Sequence, residues 1–321
     1  MCFSDTKDKS MRCAAIDIGT VTCRLLVADY CEDQLNELER QCAITNLGIG
    51  VDKTGLLQDD AIERVVNQVS KFIKRIDSYK DADHPEIPVV AIATSASRDA
   101  SNSNLLVDQL KQIGVTLSII PGSREAELSF KGASHAFQDE RLMVLDIGGG
   151  STEVIFGIGG KTIQFSHSFN IGCRRITERF LHGDPPAEAE KAEAFSWIRN
   201  AMQPLFQEAK DQGCVVDRIV AVAGTATSIV SIDKNMVVYD SAEVDKTIVP
   251  LETAKRIYDD LSVMKLKDRQ KVVGLEPARA SVIVAGLIIL QVVLSLTGKS
   301  EFTVSESDIL QGVVASYAAT D

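Results

Sequence analysis

The chain has 321 residues, of which 45% are hydrophobic and 25% charged, as is typical of a globular protein and not of a disordered one. Its formal net charge of −11 argues against non-specific binding to DNA or to an anionic membrane surface. A phosphorylated ligand stays compatible with that charge, because a bound cation reverses the local field. The length suffices for two domains of ordinary size.

The cysteines and the apolar segments indicate where the protein works. Seven cysteines are scattered along the chain with no Cys-x-x-Cys pair, which is typical of a reducing compartment, so we expect a cytoplasmic protein. The N-terminal residues lack the apolar region of a signal peptide. The strongest apolar run, 282–296, is short for a membrane span and contains Gln291, which predicts a buried core helix.

Strands and helices alternate along the first third of the chain. Residues 13–30 have the pattern of a strand, a tight turn and a second strand. Residues 60–77 place their apolar side chains on one helical face, and we expect Asp59 or Asp60 to cap that helix. Residues 89–102 indicate a buried strand that ends in a polar turn. This alternation predicts an α/β fold.

The pattern restarts in the stretch "VLDIGGGSTEVIFG", which begins at residue 144. An offset of 129 residues aligns it with the first predicted hairpin and preserves an Asp-Ile-Gly motif, a hydroxyl residue, a charged residue and two apolar residues. The aligned pairs are Asp17 with Asp146, Gly19 with Gly148, Thr22 with Ser151, and Arg24 with Glu153. The repeat predicts two similar domains that face each other across a cleft. A chance resemblance between two hairpins is the alternative.

The remaining elements complete this two-domain interpretation. A long helical stretch covers residues 185–213, and a strand that enters a Gly-Thr turn covers 218–233. The amphipathic C-terminal segment could return to cover the first domain. We therefore predict domain I at residues 11–124, completed by a C-terminal helix at 304–319, and domain II at residues 125–303.

Two acids bracket the glycine-rich turn of the second hairpin. Asp146 and Glu153 are hard oxygen ligands that would repel a phosphate, unless Mg²⁺ lies between the acids and the phosphate. Glycines permit close approach of a ligand, and successive N–H groups form an anion site. The phosphate-binding candidates in this turn are Gly148, Gly149, Gly150 and Ser151. A glycine-rich turn with acids at its edge is the alternative.

Three further residues are candidates whose pattern leaves two interpretations open. Arg24 lies just after the first predicted strand and its turn, and Arg98 lies in the polar turn after a buried strand. An arginine at such a place can clamp a phosphate with two hydrogen bonds or form a surface salt bridge. Glu125 lies in the first turn of a predicted helix, where the helix dipole alone would explain a carboxylate. Glu127 is a competing acid on the same helix.

At this point the sequence resembles the exopolyphosphatase/guanosine pentaphosphate phosphohydrolase (Ppx/GppA) family of the sugar-kinase/actin-like superfamily. The matching stretches follow the family's order over nearly the whole chain, and they include "AAIDIGTVTCRLLVA", "ATSASRDASN", "GSREAELSFKGA" and "VLDIGGGSTEVIFG". The resemblance implies an α/β fold of two actin-like (ribonuclease H-like) domains that face an interdomain cleft holding a Mg²⁺-dependent hydrolytic site.

The resemblance also assigns roles to residues. It implies that Glu125 is the catalytic base that activates water. The acids implied near the metal ion are Asp17, Asp146 and Glu153. The residues implied in phosphate binding are Thr20, Thr22, Arg24, Arg98, Gly148, Gly149, Gly150 and Ser151. Two positions depart from the family pattern: Val21 replaces an asparagine in the first turn, and Arg124 replaces an acid beside the base.

The function implied is release of the terminal phosphate from inorganic polyphosphate or guanosine pentaphosphate. A kinase of the actin-like fold that uses ATP, and a non-catalytic sensor of a guanosine polyphosphate, are the alternatives. The expected partner is the polyphosphate or guanosine polyphosphate substrate, with neither DNA nor membrane, and a homodimer is left open. Basic residues proposed to track a long polyanion are Arg174, Arg175, Arg179, Lys265, Lys267, Arg269 and Lys271.

Overall fold

The computed structural model describes residues 10–319. Cys2 and most of the N-terminal segment that lacks the apolar region of a signal peptide lie outside the described residues. The elements of the first half are β1 (Met11–Ile18), β2 (Thr22–Cys31), β3 (Gln34–Ile44), α1 (Val51–Thr54), α2 (Asp59–Asp77), β4 (Val89–Ala93), α3 (Ser95–Asp99), α4 (Ser103–Gln112), β5 (Leu117–Ile119) and α5 (Gly122–Ser134).

The second half contains more helices. Its elements are β6 (Arg141–Ile147), β7 (Thr152–Ile158), β8 (Thr162–Phe169), α6 (Cys173–Phe180), α7 (Glu188–Asp211), β9 (Arg218–Val222), α8 (Ala223–Asp233), α9 (Ser241–Val244), β10 (Ile248–Pro250), α10 (Leu251–Ser262), α11 (Leu266–Arg269), a 3₁₀ turn (Pro277–Arg279), α12 (Ile283–Thr297), β11 (Glu301–Val304) and α13 (Ile309–Ala318).

The two sheets repeat one topology. The first has the strand order β3-β2-β1-β4-β5, and the second contains β8-β7-β6-β9-β11 with β10 added at its edge. In each sheet the first two strands form an antiparallel hairpin, and the first strand pairs in parallel with the fourth. The α/β fold class is therefore confirmed, and the internal repeat in the sequence corresponds to two sheets of the same construction.

The hairpin turns repeat in atomic detail. Asp17 lies opposite Arg24 in the first hairpin, and Asp146 lies opposite Glu153 in the second, as the alignment predicts. The N–H of Gly19 donates to the carbonyl of Thr22 at 2.8 Å, and the N–H of Gly148 donates to the carbonyl of Ser151 at 3.0 Å. Both carboxylates therefore occupy the same place, one residue before the end of the incoming strand.

Helices α5 and α13 connect the two halves. Helix α5 packs against β6, β7 and β8 of the second sheet, whereas α13 packs against β1, β2 and β4 of the first. They cross closely because Gly132 and Gly312 lack side chains: a Cβ on either would overlap the backbone of Asp308 or Leu128. The predicted domain limit at residue 124 thus falls inside α5, the helix that packs on the second sheet.

Several local expectations were wrong. Strands β3 and β8 were not predicted, and residues 95–99 form the short helix α3 instead of a polar turn. The N-cap of α2 is Gln58, without a side-chain hydrogen bond, so Asp59 and Asp60 do not cap this helix but lie in its first turn. There they interact favourably with the helix dipole.

The long apolar run forms the core helix that the sequence predicts. Eleven of the fifteen residues of α12 are buried, in the apolar core of the second half. In the part of the chain that the structure describes, no helix is both long and apolar enough to cross a membrane.

Candidate active site

A cavity of about 880 Å³ lies between the two halves. Asp17 and Asp146 both line it, together with the turns that follow them. The two hairpins that the repeat identifies thus point into one common space. This is the arrangement that a cleft between duplicated domains requires.

The two turns touch each other at the bottom of this cavity. A Cβ on Gly149 would lie 2.7 Å from both Cβ of Thr20 and Cγ2 of Val21, closer than real side chains approach. A Cβ on Gly150 would lie 2.8 Å from Oγ1 of Thr20 and would also collide with Ser95. The glycines of the second turn are therefore required for close approach of the halves. Val21 extends this contact, since its side chain joins the apolar core of the second half.

The glycine-rich turn also presents free backbone donors. Among residues 10–319, no protein acceptor receives the N–H groups of Gly149 and Gly150, whereas their carbonyls accept from Arg174 and Arg175. Such N–H groups on adjacent residues form an anion-binding concavity. The turn therefore offers two unpaired donors of the kind that bind a phosphate oxygen.

Glu125 lies on the first turn of α5 and is 8% exposed. Its Oε2 accepts a hydrogen bond from Nη1 of Arg98 at 3.0 Å, and the same nitrogen donates to the carbonyl of Ile120 at 2.9 Å. Burial raises the pKa of Glu125 to about 7, with Arg98 opposing the shift and the charge of Asp146 adding to it. A carboxylate with a pKa near neutrality is suited to accept a proton at physiological pH.

Two serines hold the acids of the second hairpin. Ser129, one helical turn after Glu125, donates to Oδ2 of Asp146 at 2.8 Å. Ser168 on β8 donates to Oε1 of Glu153 at 2.7 Å. Burial raises the pKa of Asp146 to about 6 and raises that of Glu153 well above its usual range, with neighbouring acids adding to both shifts. Buried acids crowded together in this way favour a cation nearby.

Arg24 is held between two carboxylates. Its Nε and Nη2 donate to Oδ2 of Asp17 at 3.0 and 2.7 Å, and its Nη1 forms an ion pair with Asp308. Burial disfavours the charge of Arg24, but Asp308 and Asp17 keep its pKa well above its usual value. Burial also raises the pKa of Asp17, and Arg24 opposes that shift. Arg24 is thus a fixed cation beside the two hairpin acids.

The donor atoms at this site are compatible with a Mg²⁺ ion. Oδ1 of Asp17 and Oε2 of Glu153 are buried without a hydrogen-bond partner among the described residues. Between residues 10 and 319, no three His, Cys, Asp or Glu side chains converge as a complete metal site. Mg²⁺ commonly uses one or two carboxylates, and water and substrate phosphates complete its octahedron. Orphaned carboxylate oxygens beside a glycine-rich turn with free N–H donors fit that demand.

Comparison with known proteins agrees with this geometry. The sequence model of the Ppx/GppA phosphatase family matches residues 26–320. The chain belongs to this family. It is similar to solved members: the Aquifex aeolicus family member has 30% identity and a TM-score of 0.79, covering 97% of this chain and 98% of that one. An exopolyphosphatase from Cytophaga hutchinsonii has 27% identity and a TM-score of 0.87, with the same coverage. The actin-like fold class expected from the sequence is thereby confirmed.

Curated members of the family include proteins of similar and of greater length. The chain is 33% identical over 323 residues to exopolyphosphatase 2 of Mycobacterium tuberculosis, covering 96% of this chain and 98% of that protein. It is 35% identical over 314 residues to the bifunctional 3-dehydroquinate synthase/phosphatase of Fusobacterium nucleatum, covering 94% of this chain. The chain spans about half the length of that bifunctional relative, 46%.

Most of the candidate residues line the one cavity. These are Asp17, Thr20, Thr22, Arg24, Glu125, Asp146, Gly148, Gly149, Gly150 and Ser151. Arg98 and Glu153 lie behind its wall: Arg98 contacts Glu125, and Glu153 is 1% exposed. Of the basic residues proposed as a polyanion track, none lines the cavity. Arg175 instead forms ion pairs with Asp52 and Asp99 across the two halves.

Sequence reasoning missed several residues that the fold brings to this site. Ser129 carried a usable signal, because it lies four residues after Glu125 and thus on the same helical face. Ser168 and Asp308 carried none, since each follows its partner by many residues on a different element. Arg40 and Arg279 are two further cations that line the cavity.

Proposed function

We propose that the protein hydrolyses a phosphoanhydride bond and releases the terminal phosphate of inorganic polyphosphate or of a guanosine polyphosphate. The observation that carries this proposal is the position of Glu125, a buried carboxylate with a pKa near 7 in the cavity that both phosphate turns line. The names of the family members support the substrate class, since relatives include exopolyphosphatase 2 and a guanosine-5'-triphosphate,3'-diphosphate pyrophosphatase of Photobacterium profundum.

In this proposal the residues of the chain supply a base, donors and positioning. Glu125 orients a water molecule and accepts its proton, and Arg98 fixes the carboxylate for that task. The N–H groups of Gly149 and Gly150, with the guanidinium of Arg24, bind oxygens of the phosphate under attack. Phosphoryl transfer depends mainly on such positioning and charge stabilisation, so no covalent intermediate is needed.

The acids proposed near a Mg²⁺ ion are Asp17, Asp146 and Glu153, and one or two of them would be its direct ligands. Two carry orphaned buried oxygens, and all three have raised pKa values. When bound, the ion would neutralise phosphate charge and lower the cost of the charge that develops on the leaving oxygen. Another divalent cation of similar chemistry is an alternative. The scattered, unpatterned cysteines support the cytoplasm as the place of action.

The rest of the substrate would extend toward Gly224 at the start of α8. Arg279 packs over this glycine, and no ion pair involves Arg279 within residues 10–319. A guanidinium without a carboxylate partner at a helix N-terminus is suited to a phosphate. The other cavity arginines already form ion pairs, Arg24 with Asp17 and Asp308, and Arg40 with Glu306. Arg279 is therefore proposed to bind the next phosphate along the substrate.

Two alternative functions would use the same cavity. A kinase would also bind nucleotide phosphates near α8, and a sensor would bind a guanosine polyphosphate without turnover. A buried base would serve a kinase as well, because it can accept the proton of an acceptor hydroxyl. The family relationship favours hydrolysis, since the named members include an exopolyphosphatase and a pyrophosphatase.

One assay distinguishes these functions. Purified protein with Mg²⁺ is incubated with short polyphosphate, long polyphosphate or guanosine pentaphosphate, and free phosphate is measured, with no acceptor and no ATP present. We expect release from at least one substrate and none in EDTA. Phosphate transfer that needs ATP and an acceptor would support a kinase, and tight binding of guanosine tetraphosphate without any release would support a sensor.

A further inference from the structure

Asp308 is a buried acid that no motif of the sequence singles out, and it contacts the arginine at the centre of the site. Its side chain is 4% exposed and forms an ion pair with Nη1 of Arg24, 284 residues away in sequence. It also lines the cavity. A buried carboxylate in such a place has a desolvation cost, so it needs a specific explanation.

The backbone holds Asp308 in place independently of Arg24. Asp308 is the N-cap of α13: its Oδ1 accepts from the N–H of Leu310 at 3.0 Å. The side chain of Gln311 returns to the N–H of Asp308 at 2.8 Å, which completes a capping box. Nε2 of Gln311 then donates to Glu37 on β3 at 2.6 Å. The position of the Asp308 carboxylate therefore does not depend on its contact with Arg24.

Asp308 and Asp17 together leave part of Arg24 free. A guanidinium has five N–H donors. Arg24 uses two on Asp17 and one on Asp308, which leaves two. Because the carboxylates hold Arg24 from two sides, the plane of its guanidinium is fixed, and so are the directions of the remaining donors on Nη1 and Nη2. A phosphate would meet a cation that has already lost its rotamer freedom.

We propose that Asp308 is a positioning residue that aims the free donors of Arg24 at the phosphate transferred in the reaction. The inference rests on the proposed function and adds a residue from the C-terminal helix to the site. Helix α13, the last described helix, packs on the first sheet beside the hairpin of Arg24 and so brings Asp308 to this arginine. Helix α13 thus contributes to catalysis as well as to the core.

The role predicts a specific kinetic signature. Asp308 is an anion, so its removal does not weaken the attraction between the site and a phosphate in the ground state. Its removal does release Arg24 to other rotamers, which weakens interactions that need exact aim in the transition state. We therefore expect kcat to fall while KM changes little or decreases.

The test uses Asp308→Asn, which keeps an N-cap side chain but removes the charge. We expect a fall in kcat of about tenfold or more with KM within about threefold, in a protein that stays folded at the assay temperature. In an Arg24→Lys background, which cannot bridge both carboxylates, the same change should cost less than about threefold. The matched control is Asp29→Asn, which breaks the Arg12–Asp29 pair at the far end of the same hairpin and should leave kcat unchanged.

The outcomes separate this inference from the proposed function. If the wild-type protein releases no phosphate from any substrate, the proposed function fails. If it does, and Asp308→Asn keeps kcat within twofold, or loses equal activity in both backgrounds, Asp308 does not act through Arg24. A loss of kcat that is explained by partial unfolding at the assay temperature would likewise reduce Asp308 to a helix cap.

Discussion

Oε2 of Glu125 lies 3.0 Å from Nη1 of Arg98, so the first turn of α5 is joined to the short helix α3 at the edge of the cavity. Arg98 is anchored in turn to the carbonyl of Ile120. The cation lowers the pKa of the acid, yet burial prevails and the pKa is about 7. The pair thus fixes the direction of a base that stays protonatable near neutrality.

The first prediction concerns Glu125→Gln. The amide keeps the shape and can still accept from Arg98, but it cannot accept a proton from water. We expect phosphate release to fall by a factor of about 100 or more, the usual contribution of a general base. Substrate affinity, measured by calorimetry with the same substrate, should change little.

Glu127→Gln is the matched control for this variant. Glu127 lies on the same helix, but it is more than half exposed and pairs with Arg124 three residues earlier. The turnover of Glu127→Gln should remain within about twofold of wild type, since a surface ion pair contributes little to stability. If Glu125→Gln keeps wild-type turnover, Glu125 is not the catalytic base.

The second prediction concerns pH. Because burial raises the pKa of Glu125 to about 7, the active carboxylate forms only as pH rises through 7, so kcat/KM should increase from pH 6 to pH 8. Stability should follow the opposite trend. A raised carboxyl pKa favours the folded state below the unfolded pKa of 4.5, and this contribution is lost as pH rises through 7.

Urea unfolding in EDTA measures this second trend. Between pH 5 and pH 8, the free energy of unfolding of Glu125→Gln should gain roughly 2–3 kcal/mol relative to wild type, about 1.4 kcal/mol for each pH unit between the two pKa values. A difference between the two proteins that does not depend on pH would mean that Glu125 has an ordinary pKa.

The sequence predicted the repeat well because each copy is local. The match between Asp17 and Asp146 rests on a short stretch of each hairpin, residues 17–26 and 146–155, and the strand registers confirm it. Strand β3 was missed because its polar residues mask any alternation: Glu37, Glu39 and Arg40 lie at the edge of the sheet. There one side of a strand faces no other strand, so propensity and pattern give little signal.

The site was predictable only as far as motifs reach. The glycine turn and Glu125 follow from short stretches of sequence and from the family resemblance. The pairs Arg24–Asp308 and Glu153–Ser168 were not predictable, because each depends on how distant elements pack. The basic residues proposed as a polyanion track were predicted from charge alone, and none lines the cavity. Arg269 is buried and Arg175 forms an ion pair with Asp52, so a run of positive charge did not indicate ligand contact.

The third prediction tests contact between the two turns. In Gly149→Ala the new Cβ would lie 2.7 Å from Thr20 and Val21, so one turn must shift away from the other. We expect the free energy of unfolding to fall by about 1–3 kcal/mol, as is usual for overpacking, with a loss of activity of at least about tenfold. Denaturant unfolding and phosphate release measure the two effects.

Gly19→Ala is the control for stability. Its Cβ would meet only Thr22 within its own turn, at 3.3 Å or more, and nothing from the second half. It should therefore cost less stability than Gly149→Ala. Equal losses in both variants would show that the strain arises inside each turn and not between the halves.

The last prediction concerns the metal ion and needs no enzymatic assay. Glu153 and Asp17 have orphaned buried oxygens, and a cation that binds only the folded state stabilises it by mass action. Mg²⁺ at 100 times its dissociation constant should raise the free energy of unfolding of the wild type by about 2.7 kcal/mol. In Glu153→Gln this gain should largely vanish, whereas stability in EDTA should not fall, because the amide removes a buried acid whose ionisation is disfavoured.

Glu140→Gln, which breaks a pair with Arg218 outside the cavity, should respond to Mg²⁺ as the wild type does. If the thermal midpoints of the wild type with and without Mg²⁺ coincide over a wide range of concentrations, these acids do not form a cation site in the absence of substrate.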